Sequence, residues 1–323
     1  MIRLLARRIL LAIPTLIGIT LITFLLVHLS PGGDAPLLDA DPESGIATRA
    51  APDDAPILVQ YAKWLGRLPD LGISRVRGRP CADLIAERLP TTLALTIPSL
   101  AIIALVAIPL GVIAARRAGT TVDRAISGTV LALWSVPVVW AATLAVTILG
   151  SRAIMGDHAL PIRGLHSPES DALPLGPWLL DFARHAFLPI LCLVYAGLAV
   201  LTRQTRSAVL EALAHPSITA ARAKGVPESG IVWRHALSNS LLPIITLLSS
   251  AFAGVFAGSV IVESVFSIDG MGRLLLDAIS RRDRELILAI TTIGALITMV
   301  SVLVADLAIS AVDPRTIRRG PSL

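Results

Sequence analysis

Charge is what this 323-residue chain has least of: Asp, Glu, Lys and Arg make up 16% of it and hydrophobic residues 54%. A soluble domain carries about 25% charged residues, and the mean hydropathy of +0.76 places this chain outside that class. Lysine is scarcer still, with Lys63 and Lys224 alone. A phosphate-cradling G-x-x-x-x-G-K-[ST] loop needs a Lys directly behind a Gly. Lys63 stands in YAKW and Lys224 in AKGV, so the chain has no P-loop. It also has no G-x-S-x-G elbow and no H-E-x-x-H pair, which leaves hydrolytic chemistry without a nucleophile or a metal. The expectation is a chain that is not an enzyme, with no catalytic, metal or cofactor site of its own. Cysteine is nearly absent too. Cys81 falls in a loop and Cys192 in an apolar run, so neither a disulfide nor a Cys/His metal site is expected.

What the chain does have is long apolar runs. A spanning helix needs about 20 apolar residues to cross a hydrocarbon core roughly 30 Å thick. Six stretches qualify: 9–29, 91–114, 125–149, 182–201, 241–262 and 286–311. None alternates apolar and polar residues as a barrel strand would. The expected fold is all-α, a polytopic membrane protein with six transmembrane helices forming one domain over 1–323. The first run, with 21 residues and no A-x-A site behind it, is too long for a signal peptide and reads as an uncleaved span.

Six spans leave both termini on one side. Residues 1–8, 115–124, 202–240 and 312–323 together hold 14 of the 28 Lys and Arg in 69 residues. Of the remaining basic residues, half lie in the long loop 30–90. Short basic segments beside the spans stay in the cytoplasm, so both termini and 202–240 are expected there, in a cytoplasmic (inner or plasma) membrane. The basic surface then faces anionic lipid headgroups, with no need for nucleic acid.

Loop 30–90 begins in Pro, Gly and Asp, a turn-forming composition. Further along, Tyr61 and Trp64 share a helical face suited to the headgroup region. The second outside loop, 150–181, is Pro-rich and carries His158 and His166, eight apart without clustered carboxylates, which read as surface residues. After Glu263 the pattern is a turn followed by a short amphipathic helix. Pro14, Pro98, Pro109, Pro137, Pro189 and Pro243 fall within spans, where neighbouring helices can absorb kinks. Taken singly, each reads as ordinary membrane-helix composition. Asp306, near the inner end of the last span, reads as a packing partner for a basic residue.

The stretch AARAKGVPESGIVWRHALSNSLLP, Ala220–Pro243, interrupts this apolar background. A helix is expected to end near Lys224, with Gly225 as its left-handed stop. Pro227 suits the first turn of a second helix, whose positive end Glu228 complements. Trp233, Leu237 and Leu241 recur every four residues and lead into the fifth span. Such an elbow either passes a push from a soluble partner into the bundle or rests on the membrane surface.

The motifs ARAKG, RHAL and N-x-LLP occur here in order, after Thr219, Ala220 and Ala221. QY..WLG lies at 60–66, DLG.S....G.P at 70–80 and E.VF...G.G at 263–272. RD stands at 282–283, and Asp306–Leu307 is followed by Asp313–Arg315. Together they resemble the oligopeptide/dipeptide permeases of ABC importers, along nearly the whole chain. That resemblance implies a permease subunit moving peptides across the membrane by alternating access, from an extracytoplasmic binding protein. It implies a second homologous permease and two ATPase subunits or domains, which carry ATP and Mg. Thr219, Ala220, Ala221, Arg222, Lys224 and Gly225 become the coupling loop seated on an ATPase. Relatives that move nickel chelates or glutathione are the alternative within the family. Thr219 replaces the Glu that leads the family's E-A-A-x-x-x-G pattern, and Asp269 stands where the family has Pro. A gradient-driven secondary transporter would instead need ionisable residues at the midplane and internal repeats, and the chain offers only Asp306. A non-transporting scaffold would use the elbow to dock a signalling protein.

Overall fold

A computed structural model describes residues 2–30 and 55–312. Its regular structure is helical, apart from one antiparallel bridge between Ile73 and Pro80. The principal helices are α1 (Ile2–Leu29), α2 (Ile57–Gly66), α3 (Cys81–Arg116), α4 (Thr121–Trp134) and α5 (Val138–Leu149). They continue as α6 (Leu175–Leu213), α7 (Pro216–Ala223), α8 (Leu237–Val265), α9 (Met271–Ser280) and α10 (Arg284–Val312). The chain divides into two compact units, one made of Met1–Thr92 with Asp269–Val300, the other of Leu93–Ile268 with Ser301–Leu323.

Among the described residues, five helices are long and apolar enough to cross a membrane, and the bent pair α4–α5 makes a sixth if it counts as one span. The run 125–149, expected as a single helix, is therefore broken: its halves meet at 86°. The cause is local. Pro137 has no N–H, and its ring clashes with the carbonyl four residues back, so α4 stops at Trp134 and α5 restarts behind Pro137. Tyr195 donates to the freed carbonyl of Val136 at 2.8 Å. Fourteen and twelve residues are about 21 and 18 Å of helix. With each half inclined by half the bend, they still rise roughly 28 Å, close to the thickness of the hydrocarbon core. By length, the bent pair suffices for one crossing.

Two other spans run well past the apolar runs that announce them. α6 has 39 residues and α3 has 36, about 58 and 54 Å of helix. The first dozen residues of the expected cytoplasmic loop 202–240 are thus helix, continuous with the membrane-spanning part of α6.

In the first unit, Phe24 of α1 packs with Tyr61 and Trp64 of α2 and with Leu288 of α10. The Tyr61 hydroxyl lies 2.8 Å from Thr20 Oγ1 and donates to the Ile17 carbonyl at 3.1 Å. These two rings were expected among lipid headgroups; they are buried against α1 instead. A Tyr hydroxyl leaves water readily when a partner is supplied, and α1 supplies one from its own backbone.

In the second unit, residues of α3, α5, α6 and α8 form one core, with Ile103, Leu188, Ile244 and Phe266 fully buried. Helices α3 and α6 approach closely at two glycines. A Cβ on Gly111 would stand 2.8 Å from the Thr202 carbonyl and 2.6 Å from Thr205 Cβ, and one on Gly197 would stand 2.5 Å from Ile103 Cδ1. Small residues that let backbones approach are the usual means of tight packing in a bilayer, where lipid is as apolar as the helices. Cys81 and Cys192 are both buried and free.

Candidate functional site

The polar elbow folds as the sequence suggests in its first half and differently in its second. α7 begins with His215 as N-cap, its ring Nδ1 accepting from the Ser217 N–H, and with Pro216 in the first turn. It ends in a Schellman motif: the Val226 N–H reaches the Ala221 carbonyl at 3.2 Å and the Gly225 N–H the Arg222 carbonyl at 2.9 Å. Gly225 closes the motif at φ +80°, a region that side-chain-bearing residues enter only at a cost of about 1–2 kcal/mol. Pro227 stands at the N-cap of the following turn, one position before that expected of it.

Beyond it, Ile231–Ala236 is a π turn leading into α8. A π turn holds one extra residue and rotates the faces around it. Trp233, which the four-residue spacing groups with Leu237 and Leu241, is 43% exposed, whereas Ile231, Val232 and Ala236 are buried. Val232 and Ala236 pack with Val112 and Ala115 at the end of α3 and with Val209 near the end of α6. The elbow is thereby attached to two long helices through an apolar contact.

The six predicted coupling residues share one segment. Thr219, Ala220, Arg222, Lys224 and Gly225 are exposed and Ala221 half-buried, while Ile218 is 1% exposed and anchors α7. Arg222 is paired with Glu228, which it contacts at 2.7 Å. This pair ties α7 to the turn behind it, while the side chains of Lys224 and Arg234 are exposed and have no ion-pair partner among the described residues.

A second feature at this end of the bundle escaped the sequence reading. Arg206 of α6 grips Asp123 of α4 with two parallel bonds of 2.7 Å, and Asp123 also accepts from the Gly119 N–H at 2.9 Å. The T-x-x-D start at 120–123 is a recognisable helix-start pattern. Its partner, 83 residues away, has no sequence signature.

Two of the other family-like motifs meet in the first unit. Ser74, from the DLG.S stretch, donates to Asp283 of the RD pair, and Asp283 accepts from the Leu286 N–H at 3.4 Å as the N-cap of α10. The chain can reach that pair because Gly72 and Gly78 take φ of +72° and +63°. Asp269 is bound by Arg273 at 2.9 Å and by Arg88 at 3.0 Å. Asp277 is bound by Arg77 and by Arg281. Burial alone would raise the Asp277 carboxyl, but the bonds and charges of Arg281 and Arg77 outweigh it and hold it below the usual carboxylate range. Arg77, Arg88, Asp269, Arg273 and Asp277 line a cleft of about 200 Å³. His166, expected at the surface, is half-buried and stacks on Trp178 at 4.8 Å, whereas His158 is exposed. Asp306 is half-buried in α10. The Asp313–Arg315 motif and most of the early part of loop 30–90 lie outside the described residues. Among the described residues, no group of three His, Cys, Asp or Glu could hold a metal ion.

Residues 107–318 match the model of the binding-protein-dependent transport system inner membrane component family. The chain is 35% identical over 318 residues to the oligopeptide transport system permease protein AppB of Bacillus subtilis, covering 96% of this chain and 97% of the relative. It is 31% identical over 337 residues to the dipeptide transport system permease protein DppB of Escherichia coli, covering 98% of each. Among solved structures, the inward-facing methionine ABC transporter MetNI is similar over 71% of this chain and 96% of that one, with a TM-score of 0.52 and 19% identity. That last likeness is one of fold.

Proposed function

Since the chain belongs to the binding-protein-dependent transport system inner membrane components, as a peptide ABC-importer permease, we propose that it is one of two permease subunits of an ATP-driven assembly. In this reading the assembly imports peptides delivered by an extracytoplasmic binding protein. ATP and Mg act on two partner ATPase subunits or domains, since this chain has no P-loop. Both termini and the elbow face the cytoplasm, by the distribution of Lys and Arg.

The observation that carries the proposal is the build of the elbow. α7 presents an exposed face held by a single buried residue, Ile218, and the segment behind it is packed onto α3 and α6. A partner that displaces α7 would therefore move two long helices, because close-packed apolar contacts transmit displacement. Exchange between inward-open and outward-open states follows if paired ATPases close and open beneath two such elbows.

Gly225 supplies the test. Valine is β-branched and strained at φ +80°, while no heavy atom lies within 4 Å of the position its Cβ would take. Gly225→Val should insert and assemble, yet lose the link between ATP hydrolysis and uptake of a labelled peptide, in cells and in proteoliposomes. Gly225→Asn, which tolerates this backbone region, should retain most of it. Wild-type uptake by the Val variant would remove the elbow from the mechanism.

A further inference from the structure

The second unit contains a larger cleft, of about 640 Å³, between the loop 150–167 and the first turns of α6; Arg152, Asp157, His158, Asp181, Arg184 and His185 lie on its walls. That volume is in the range of small-molecule sites, roughly 300–1,000 Å³.

Its charges fall into two groups. Asp181 is already engaged, accepting from the Ser167 N–H at 2.8 Å and the Ser167 hydroxyl at 2.5 Å. His185 Nδ1 lies 3.4 Å and His166 Nδ1 3.9 Å from the same carboxylate. His166 packs in turn against Trp178 and Phe182, with ring centroids at 4.8 and 5.4 Å. This set fastens the loop to α6 and makes one wall of the cleft rigid. Arg152, Asp157 and Arg184 form the other group. Each is exposed, and none of the three side chains has an ion-pair or hydrogen-bond partner among the described residues.

The cleft of the first unit makes the contrast. There Arg77, Arg88 and Arg273 are each bound to Asp269 or Asp277, so their charge is consumed within the fold. Two guanidiniums and one carboxylate left open around a cleft of ligand size complement a solute that carries a carboxylate and an ammonium. Arginine suits such a carboxylate because its planar fork can donate two parallel bonds.

We propose that this cleft is a subsite for a small zwitterionic solute, with Arg152 and Arg184 taking its free carboxylate and Asp157 its ammonium. The proposal rests on the importer reading and narrows the cargo to peptides with free termini.

The test uses the full permease–ATPase assembly in nanodiscs, without the binding protein, so that selection by a receptor does not enter. Trialanine, trialanine amide and N-acetyl-trialanine are titrated calorimetrically. The free acid should bind about tenfold or more tightly than the amide, as expected for charge-assisted bonds. Arg152→Gln/Arg184→Gln should abolish that difference while leaving amide binding at the wild-type level. Asp157→Asn should abolish the discrimination against the N-acetyl form. Arg184→Lys, which keeps the charge, should retain part of the carboxylate preference, and basal ATPase rate and elution volume verify that each variant is assembled. Equal binding of acid and amide by the wild type, no binding of either, or discrimination that survives in the double variant would overturn the subsite. Uptake of labelled trialanine by cells is measured in parallel. Uptake without discrimination in nanodiscs leaves the importer standing and removes the subsite, whereas failure to import any peptide removes the importer reading itself.

Discussion

At the residue scale the Asp123–Arg206 pair is the most consequential contact at the elbow end of the bundle. The Asp123 side chain is 5% exposed and that of Arg206 30%. Removing one partner of a fully buried pair costs roughly 3–5 kcal/mol, because the other charge is left without compensation. Here the loss from Asp123→Ala should fall somewhat below that range, since water reaches the guanidinium. Thermal unfolding of the purified chain in mild detergent measures it, and a variant as stable as wild type would show that the pair contributes nothing net. Asp277 raises a different question, that of pH. Its pKa is held below the unfolded value, so the folded state is favoured above the usual carboxylate range and loses this contribution as pH falls through the depressed value. Because the Asp277 side chain is 32% exposed, the contribution is small and screened by salt. Asp277→Asn should flatten the acid limb of a stability–pH curve slightly without moving its neutral plateau, and an unchanged limb would count against the cluster as an acid-sensitive contact.

Elements are where packing decides what the residues can do. The α3–α6 interface depends on two absent side chains, and their surroundings differ. A methyl on Gly111 meets a backbone carbonyl and a branched Cβ, neither of which can yield, whereas a methyl on Gly197 meets the flexible end of Ile103. Overpacking costs about 1–3 kcal/mol in general. Gly111→Ala should therefore destabilise the chain more than Gly197→Ala in the same detergent assay, and the reverse order would mean that the helices separate more easily than their contact implies. The π turn at 231–236 belongs to this scale as well. It places Val232 and Ala236 against Val112, Ala115 and Val209 and turns Trp233 outward, so the apolar anchor of the elbow is one that a strict four-residue period does not reveal.

Over the whole molecule, large apolar side chains remain uncovered along the spans, among them Leu105, Trp140 and Val304. Lipid solvates such surface in a bilayer; an assembly of two permeases would cover part of it. The exposed polar elbow is left to water, and in the proposed assembly it would meet a soluble partner. Extraction of the native complex in mild detergent should therefore recover a second multi-span permease and P-loop ATPases along with this chain. Recovery of the chain alone, under conditions that preserve membrane complexes, would favour a carrier driven by an ion gradient.

Some of this protein is determined by its sequence alone. Long apolar runs in a chain so poor in charge leave helices in a bilayer as the one economical way to satisfy the backbone, and the all-helical architecture follows. Gly225 was legible for an equally local reason, because a left-handed helix stop is written by the residues beside it. Tertiary structure decided what depends on distant partners. Pro137 breaks its helix locally, but the donor to the Val136 carbonyl freed there is the hydroxyl of Tyr195, on another helix. Tyr61 and Trp64 turn inward because α1 lies across them, and Arg206 finds Asp123 only once α4 and α6 are side by side. Periodicity carries the direction of a face within one helix. It carries no record of which other helix that face will meet, and both the elbow's attachment to the bundle and the open charges of the larger cleft were set at that level.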